Sequence, residues 1–206
     1  MIKDKQLVIV GAGGHGSVIA DIARLNGYRS ILFLDDACAE RADGYSVVGK
    51  VEDAPRFMAD SDFILAIGNN ATRERLQKWL ADQGARFTTL IHPNAVIGEN
   101  VTVGTGTAIM AGAVVNPGAA VGDGVILNTC SSVDHDCRVG DFVHIAVGAH
   151  LCGTVTVGDG AFICAGATVI NNISVCKGAT VGAGAVVVRD ITEKGTYVGV
   201  PARQLV

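Results

Sequence analysis

The sequence predicts a small parallel α/β unit followed by an all-β solenoid built from six-residue repeats. Over about the first 85 residues, short apolar runs alternate with helical periodicity. From residue 91 onward, an aliphatic residue recurs at every sixth position. The 27 glycines and the aromatic content of only 5% suit stacked, tightly turning backbone. We therefore predict two domains, at residues 1–88 and 89–206.

The α/β unit begins with the apolar run Leu7–Val10, after which Gly11, Gly13 and Gly16 form a GxGxxG pattern. Apolar residues then recur at helical spacing, and Gly27 ends that helix. A glycine-rich turn between a strand and a helix lets a phosphate approach the main chain at the positively polarised helix start. An NAD-dependent oxidoreductase is one interpretation, but only three clear strands precede the repeat, too few for the full dinucleotide fold.

Two further strands are predicted at Ile31–Leu34 and Phe63–Ile67. Ligands of parallel α/β units lie at the carboxyl ends of the strands. The polar or small residues that follow these two strands are Asp35, Asp36, Gly68, Asn69 and Asn70. Asn70 can cap a helix over residues 71–83, because its side-chain oxygen can accept an early main-chain N–H. The charged stretch Arg73–Arg75 is interpreted as the solvated face of that helix.

The six-residue repeat is uninterrupted. All seventeen positions spaced by six from Ile91 to Val187 are Ile, Leu or Val, and glycine often follows the aliphatic residue. This period fits a solenoid in which each hexapeptide supplies one strand and one turn, and three hexapeptides make a triangular coil. Small residues and glycine suit its tight corners. Residues eighteen apart, such as His135 and Gly153, should therefore be stacked neighbours.

Charge and composition exclude several classes of protein. The net charge is −4 and no Lys/Arg run occurs, which argues against a nucleic-acid surface. No apolar stretch is long enough to cross a bilayer and no leader pattern is present, so we expect a cytoplasmic protein. The cysteines form no CxxC pair, which argues against a zinc site, and the five in the C-terminal half are interpreted as buried free thiols. The six cysteines are Cys38, Cys130, Cys137, Cys152, Cys164 and Cys176.

Several segments, in their order and spacing, resemble the sialic-acid O-acetyltransferase-like family of hexapeptide-repeat acyltransferases, and in particular the bacterial nucleotide-4-amino-sugar N-acetyltransferases of the bacillosamine and perosamine type. These segments are Val10–Gly16, Asp35-Asp36, Ala66–Asn70, Ile91–Pro93, Val133–Cys137 and Val198–Ala202. The resemblance implies a Rossmann-like domain that binds a nucleotide sugar, a left-handed parallel β-helix that is the acetyltransferase domain, and a homotrimer. It further implies acetyl-CoA as co-substrate, UDP rather than GDP, and a role in bacterial glycan biosynthesis.

The resemblance also implies that His135 is the general base, which takes the proton from a 4-amino group attacking the thioester directly. An imidazole that titrates near neutral pH suits this step. Asp136 corresponds to the family's orienting carboxylate, but Asp134 is also adjacent, and the residues do not decide which of them reaches the ring. Gly153 corresponds to a donor for the oxyanion. His144 is assigned a supporting role near the acetyl group.

The remaining site residues follow from the same resemblance, and no metal is expected. The predicted nucleotide-sugar contacts are Gly11, Gly13, His15, Asp35, Asp36, Gly68 and Asn69, and the predicted acetyl-CoA contacts are His144, Gly153, Ala165 and Ala183. His15 is expected near a phosphate. Asp35 and Asp36 have an alternative role, since Asp commonly ends strands. Two alternative functions remain: O-acetylation of a sialic acid, and a non-catalytic scaffold.

Overall fold

The computed structural model of the protein describes residues 5–37 and 44–205, and Cys38 lies outside these ranges. The chain divides into two compact units, residues 1–93 and residues 94–206.

The first unit is a parallel sheet with helices between its strands. Its elements are β1 (Gln6–Val10), α1 (Gly14–Leu25), β2 (Ile31–Leu34), β3 (Ser46–Gly49), a 3₁₀ helix (Val51–Phe57), β4 (Ser61–Leu65), α2 (Asn70–Asp82), β5 (Arg86–Phe87) and β6 (Leu90–Ile91). The strand order β3-β2-β1-β4-β5 places β1 at the centre, and every pairing in this sheet is parallel. The carboxyl ends of β1, β2 and β4 therefore meet at one edge, where such sheets bind ligands.

The sheet has two strands that the sequence did not predict. β3 alternates between exposed and half-buried residues, and β5 has only two residues, so neither produces a clear apolar run. The central strand β1 is buried, with all four residues of Leu7–Val10 fully inaccessible. Its residues Val8 and Val10 pack in one cluster with Phe63, Leu65 and Leu80 of the neighbouring elements.

Two predictions about the N-terminus of α2, its cap residue and the exposure of Arg73, were wrong. The helix begins at Asn70, and its cap is Asn69, whose side-chain oxygen accepts the N–H of Thr72 at 2.9 Å. The side chain of Asn70 instead accepts a hydrogen bond from Arg73 at 2.9 Å. Arg73 is only 1% exposed, so its assignment to the solvated face was wrong. The guanidinium turns inward because main-chain and side-chain oxygens there satisfy its donors.

The second unit is a three-sided parallel β-helix. Its strands are β7 (Val96–Ile97), β8 (Thr102–Val103), β9 (Ala108–Ile109), β10 (Val114–Val115), β11 (Ala120–Val121), β12 (Ile126–Leu127), β13 (Ser132–Val133), β14 (Arg138–Val139), β15 (His144–Ile145), β16 (His150–Leu151), β17 (Thr156–Val157), β18 (Phe162–Ile163), β19 (Thr168–Val169), β20 (Ser174–Val175), β21 (Thr180–Val181), β22 (Val186–Val187), β23 (Thr196–Val198) and β24 (Arg203–Gln204).

Each strand up to β19 pairs in parallel with the strand three later in the chain, so that residues eighteen apart lie side by side. One sheet runs from β7 through β10, β13, β16 and β19 to β22, and the strands β8 to β20 and β9 to β21 follow the same rule in the other two sheets. After β21, the last sheet adds β23 in parallel and β24 in antiparallel orientation. The aliphatic residues at the six-residue spacing from Ile109 to Val187 are at most 4% exposed. Each contributes roughly 1.5–3 kcal/mol through burial of its side chain. Ile97 is 37% exposed, because β7 ends its sheet and has a neighbour on one side only.

The corners of the coil place glycine at two different positions. Every sixth residue from Asn100 to Gly184 has a positive φ, three residues after each aliphatic position, and nine of these fifteen residues are glycine. The glycines directly after the aliphatic residue serve close packing instead. A Cβ on Gly98, for example, would lie 2.6 Å from the main-chain nitrogen of Pro117 in the next coil. The sequence pattern had not separated these two requirements.

The described cysteines are all free, but only Cys137 is buried. Cys130 is exposed and occupies a corner of the coil with φ of 56°. The prediction that the five C-terminal thiols are buried was therefore wrong for four of them. In the two described ranges, no helix has the length and apolar character needed to span a membrane. The same ranges contain no group of three His, Cys, Asp or Glu side chains that could hold a metal ion.

Candidate active site

His135 lies at the corner of the coil between β13 and β14. Its side chain is 57% exposed, and its ring Nδ1 is 2.9 Å from Oδ2 of Asp136. Asp136 has a φ of 58°, a left-handed conformation that Asp tolerates better than most residues. When Nδ1 carries the proton and donates to this carboxylate, the lone pair of Nε2 is available to a substrate.

The pKa of His135 is raised above its ordinary value. The main cause is the hydrogen bond to Asp136, and the negative charges of Asp134 and Asp136 add to it. The carboxylate stabilises the imidazolium form, which is the form that a general base reaches after it has accepted a proton. The pair therefore has the chemistry of an oriented base.

Asp134 binds the main chain rather than the ring. Its Oδ1 accepts the N–H of His135 at 2.7 Å and a hydrogen bond from Nδ2 of Asn116, also at 2.7 Å. These two bonds, that of Asn116 first, lower the pKa of Asp134. The choice that the sequence left open thus falls on Asp136 as the carboxylate at the ring. Asn116 was not predicted, although its spacing of eighteen residues from Asp134 is that of a stacked neighbour.

Gly153 lies one coil beyond His135, as the eighteen-residue spacing predicted. A Cβ built on Gly153 would lie 2.5 Å from Nε2 and 2.6 Å from Cε1 of the imidazole, so the ring rests against the glycine. The main chains are joined by the N–H of Thr154, which donates to the carbonyl of His135 at 2.9 Å. Within the described ranges, the Gly153 N–H donates to no protein acceptor. The imidazole of His135 and a main-chain N–H without a protein acceptor among the described residues, that of Gly153, therefore lie on neighbouring residues of adjacent coils.

His144 and the two predicted alanines lie at other positions of the coil. The ring of His144, in β15, stacks on Phe162 with a centroid distance of 4.9 Å, and its Nε2 is 3.1 Å from Nδ2 of Asn128. Neither Asn128 nor Phe162 was predicted. Ala165 and Ala183 are exposed and stacked one coil apart, since the N–H next to Ala183, that of Gly184, donates to the carbonyl of Ala165 at 2.9 Å.

The predicted nucleotide-sugar residues meet at the carboxyl edge of the first unit. Gly11 has a φ of 108°, and a Cβ there would lie 2.8 Å from the carbonyl oxygen of Ala66, so only glycine fits this turn. Gly13 is the N-cap residue of α1 and is exposed, with no atom within 4 Å of a built Cβ. Gly68 is likewise exposed and uncrowded. The turn after β1 and the turn after β4 therefore both present exposed main chain at this edge.

Asp35 and Asp36 both bind main-chain groups. Asp35 accepts the N–H of Ala12 at 2.6 Å through Oδ2 and the N–H of Ala37 at 2.8 Å through Oδ1. Asp36 accepts the N–H of Val51 at 2.9 Å. Both carboxylates thus organise the ends of strands and turns. Their remaining lone pairs are what a ligand could use.

His15, at the start of α1, is a neutral imidazole at physiological pH. Burial, together with the positive charge of Arg73 as the smaller cause, lowers the pKa of His15 to about 4. Its Nε2 is buried and has no hydrogen-bond partner within the described residues. Any contact of this ring with a phosphate would therefore be that of a neutral group. This effect could not be predicted from the sequence, because Arg73 is 58 positions away from His15 in the chain.

Comparison with protein families and curated proteins identifies relatives of both parts of the chain. Residues 6–80 match the family model of the PglD N-terminal domain. A curated relative, the UDP-N-acetylbacillosamine N-acetyltransferase of Bacillus subtilis (strain 168), is 38% identical over 112 residues. The aligned region covers 52% of this chain and 52% of that protein, so the chain spans about half the length of this relative.

Two solved structures match nearly the whole chain. The acetyltransferase domain of PglB from Neisseria gonorrhoeae FA1090, in complex with acetyl coenzyme A, is 40% identical, with 98% of this chain and 100% of that chain covered and a TM-score of 0.95. A histidine-to-asparagine mutant of perosamine N-acetyltransferase from Caulobacter crescentus, in complex with CoA and GDP-perosamine, is 36% identical, with 100% and 99% covered and a TM-score of 0.94. These matches confirm the predicted Rossmann-like unit and left-handed parallel β-helix. The chain therefore belongs to the family of bacterial sugar N-acetyltransferases.

Proposed function

We propose that this protein is an acetyl-CoA-dependent N-acetyltransferase that acts on the 4-amino group of a nucleotide-linked amino-deoxysugar in bacterial glycan biosynthesis. The observation that carries the proposal is the contact between Gly153 and the imidazole of His135, one coil apart. Two relatives named as sugar N-acetyltransferases, and the acetyltransferase domain of PglB in complex with acetyl coenzyme A, support the same activity.

The chemistry requires a base and an oxyanion donor at the same place. The amine attacks the thioester carbonyl, and Nε2 of His135 accepts the proton that the amine loses as the C–N bond forms. The Asp136 carboxylate stabilises the resulting imidazolium. The Gly153 N–H donates to the oxygen that becomes negatively charged, a contribution typically worth about 3–4 kcal/mol. Collapse of the tetrahedral intermediate breaks the C–S bond, and the CoA thiolate recovers the proton from the imidazolium.

The thioester substrate is assigned to the β-helix. Ala165 and Ala183 present small, exposed side chains in one stacked column, which leaves room for an extended pantetheine arm. His144 is assigned a place near the acetyl group, held by its stacking on Phe162 and its contact with Asn128. We further propose a homotrimer, since a three-sided coil offers flat faces and closed symmetry is usual for soluble oligomers.

The nucleotide sugar is assigned to the first unit, with UDP as the nucleotide. Support comes from the open main chain at Gly13 and Gly68, and from the N-terminal end of α1, where the helix dipole favours a phosphate. His15 would act there as a neutral hydrogen-bonding group, because its pKa is about 4. One relative is named for a UDP sugar and another was solved with GDP-perosamine, so both nucleotides belong in the test.

The test is mass spectrometry of products formed from acetyl-CoA and a panel of UDP- and GDP-linked 4-amino-sugars. We expect one acetyl group on a UDP-linked 4-amino-sugar, and no product from the matched sugar that carries a 4-hydroxyl group. Free sialic acid is the second acceptor, because its acetyl ester is removed by mild alkali whereas an amide is stable. Acetylation of sialic acid alone, or turnover that requires NAD instead of acetyl-CoA, would contradict the proposal.

A further inference from the structure

Among the residues that the structure describes, Arg73 is the largest with a fully buried side chain, and it is 1% exposed. It lies in the first turn of α2, directly after the segment that joins β4 to this helix. A guanidinium carries a charge and five N–H donors, so its burial requires that protein acceptors replace the hydrogen bonds that it makes with water. The partners of Arg73 therefore indicate what the side chain does.

Three hydrogen bonds of Arg73 go to the segment at residues 67–70. Nη1 donates to the carbonyl oxygens of Ile67 at 2.8 Å and Gly68 at 3.3 Å, and Nη2 donates to Oδ1 of Asn70 at 2.9 Å. One planar group thus holds a four-residue segment from its buried side. The opposite side of the same segment carries the exposed residues Gly68 and Asn69.

This segment is adjacent to the glycine-rich turn after β1. The N–H of Ala66 donates to the carbonyl of Val10 at 2.8 Å, and Gly11 approaches the carbonyl of Ala66 so closely that no Cβ would fit. The charge of Arg73 also acts on the buried His15 ring in that turn, where it adds to the lowering of the His15 pKa. Arg73 therefore influences both turns at the carboxyl edge of the sheet.

We propose that Arg73 is a positioning residue for the nucleotide-sugar site, which holds the 67–70 segment against the glycine-rich turn so that Gly68 and Asn69 face the ligand. The side chain is too deeply buried to contact the ligand itself. A lysine cannot replace it, because an ammonium is a single point donor whereas the guanidinium fork reaches three separated acceptors. This inference rests on the proposed function, which assigns nucleotide binding to the first unit.

Isothermal titration of the full chain with UDP and with GDP tests the proposal. Arg73→Lys should weaken binding of the preferred nucleotide by about tenfold to a hundredfold, by analogy with the loss of groups that orient metal ligands. Arg75→Lys is the matched control, because Arg75 is exposed on the same helix, and it should bind as the unchanged protein does. Titration with acetyl-CoA should be the same for all three proteins.

A kinetic measurement separates positioning from general damage. Arg73→Lys should raise KM for the nucleotide sugar and leave KM for acetyl-CoA unchanged. Asn70→Ala removes only one of the three acceptors and should give a smaller increase in the same constant, which keeps the test valid if Arg73→Lys does not fold. Unchanged nucleotide affinity in folded Arg73→Lys, or in Asn70→Ala if Arg73→Lys is unfolded, would overturn the inference. If the unchanged protein binds neither UDP nor GDP, the proposed function itself is wrong, and the inference is wrong with it.

Discussion

Replacement of Gly153 by alanine would push the His135 ring, the proposed base, out of place without disturbing the fold. The added Cβ would lie 2.5 Å from Nε2 of His135, whereas ordinary contacts begin at 3.4 Å, so the ring must retreat by about 0.9 Å. The three atoms that crowd this position all belong to the imidazole, and the His135 side chain is 57% exposed. The ring can therefore move at little cost in stability.

A displacement of this size has a large kinetic effect, since a misplacement of about 1 Å can cost on the order of 10²-fold in rate. We expect Gly153→Ala to lower kcat/KM by about 100-fold while the melting temperature changes by less than about 2 °C. Product should be measured by chromatography, because the exposed thiol of Cys130 would react with the disulfide reagents used to detect free CoA.

The control is the double variant Gly153→Ala/His135→Ala. When the His135 ring is absent, the methyl group added at position 153 has no imidazole to displace. It should therefore lower activity little beyond the level of His135→Ala alone. Groups that act as one unit show this kind of non-additivity. Wild-type kcat/KM in Gly153→Ala, or an equal loss with and without the ring, would refute the reasoning.

Three further predictions concern residues of the β-helix. His135→Ala should leave the fold intact and lower turnover by about 10²–10⁴-fold, measured by product formation together with circular dichroism; near-normal turnover would remove this residue from the site. Asp136→Asn should lower the pKa of His135, because the hydrogen bond to Asp136 is the main cause that raises it. Since the base acts in its deprotonated form, the acid limb of kcat/KM should move to lower pH, and an unmoved limb would mean that the carboxylate does not tune the ring. Leu151→Ala should lower the free energy of unfolding in urea by about 2–5 kcal/mol, because Leu151 is 1% exposed. The control Val147→Ala, at a 50% exposed position, should change it by about 0.5 kcal/mol or less. Equal effects would contradict the assignment of the aliphatic residues at the six-residue spacing to the core.

The repeat made the second unit predictable. Strand, turn and inward aliphatic residue return within six residues, so local sequence specifies both the three-sided coil and its eighteen-residue register. The contact of Gly153 with His135 followed from that register alone. The first unit was harder, since β3 and β5 are short edge strands whose stability comes from pairing with the rest of the sheet and not from an apolar pattern of their own.

The six-residue spacing by itself determined the β-helix and the place of His135 on its coil, because periodic contacts depend only on spacing. The family was indicated separately, by the resemblance of several segments along the sequence. The tertiary structure decided which polar groups hydrogen-bond to one another. Asp136, not Asp134, reaches the His135 ring, because the left-handed corner at Asp136 turns its carboxylate toward that ring while Asn116 and a main-chain N–H hold Asp134. Arg73 hydrogen-bonds to residues only three to six positions away, but its burial and its effect on the distant His15 depend on elements that meet only after the sheet has formed.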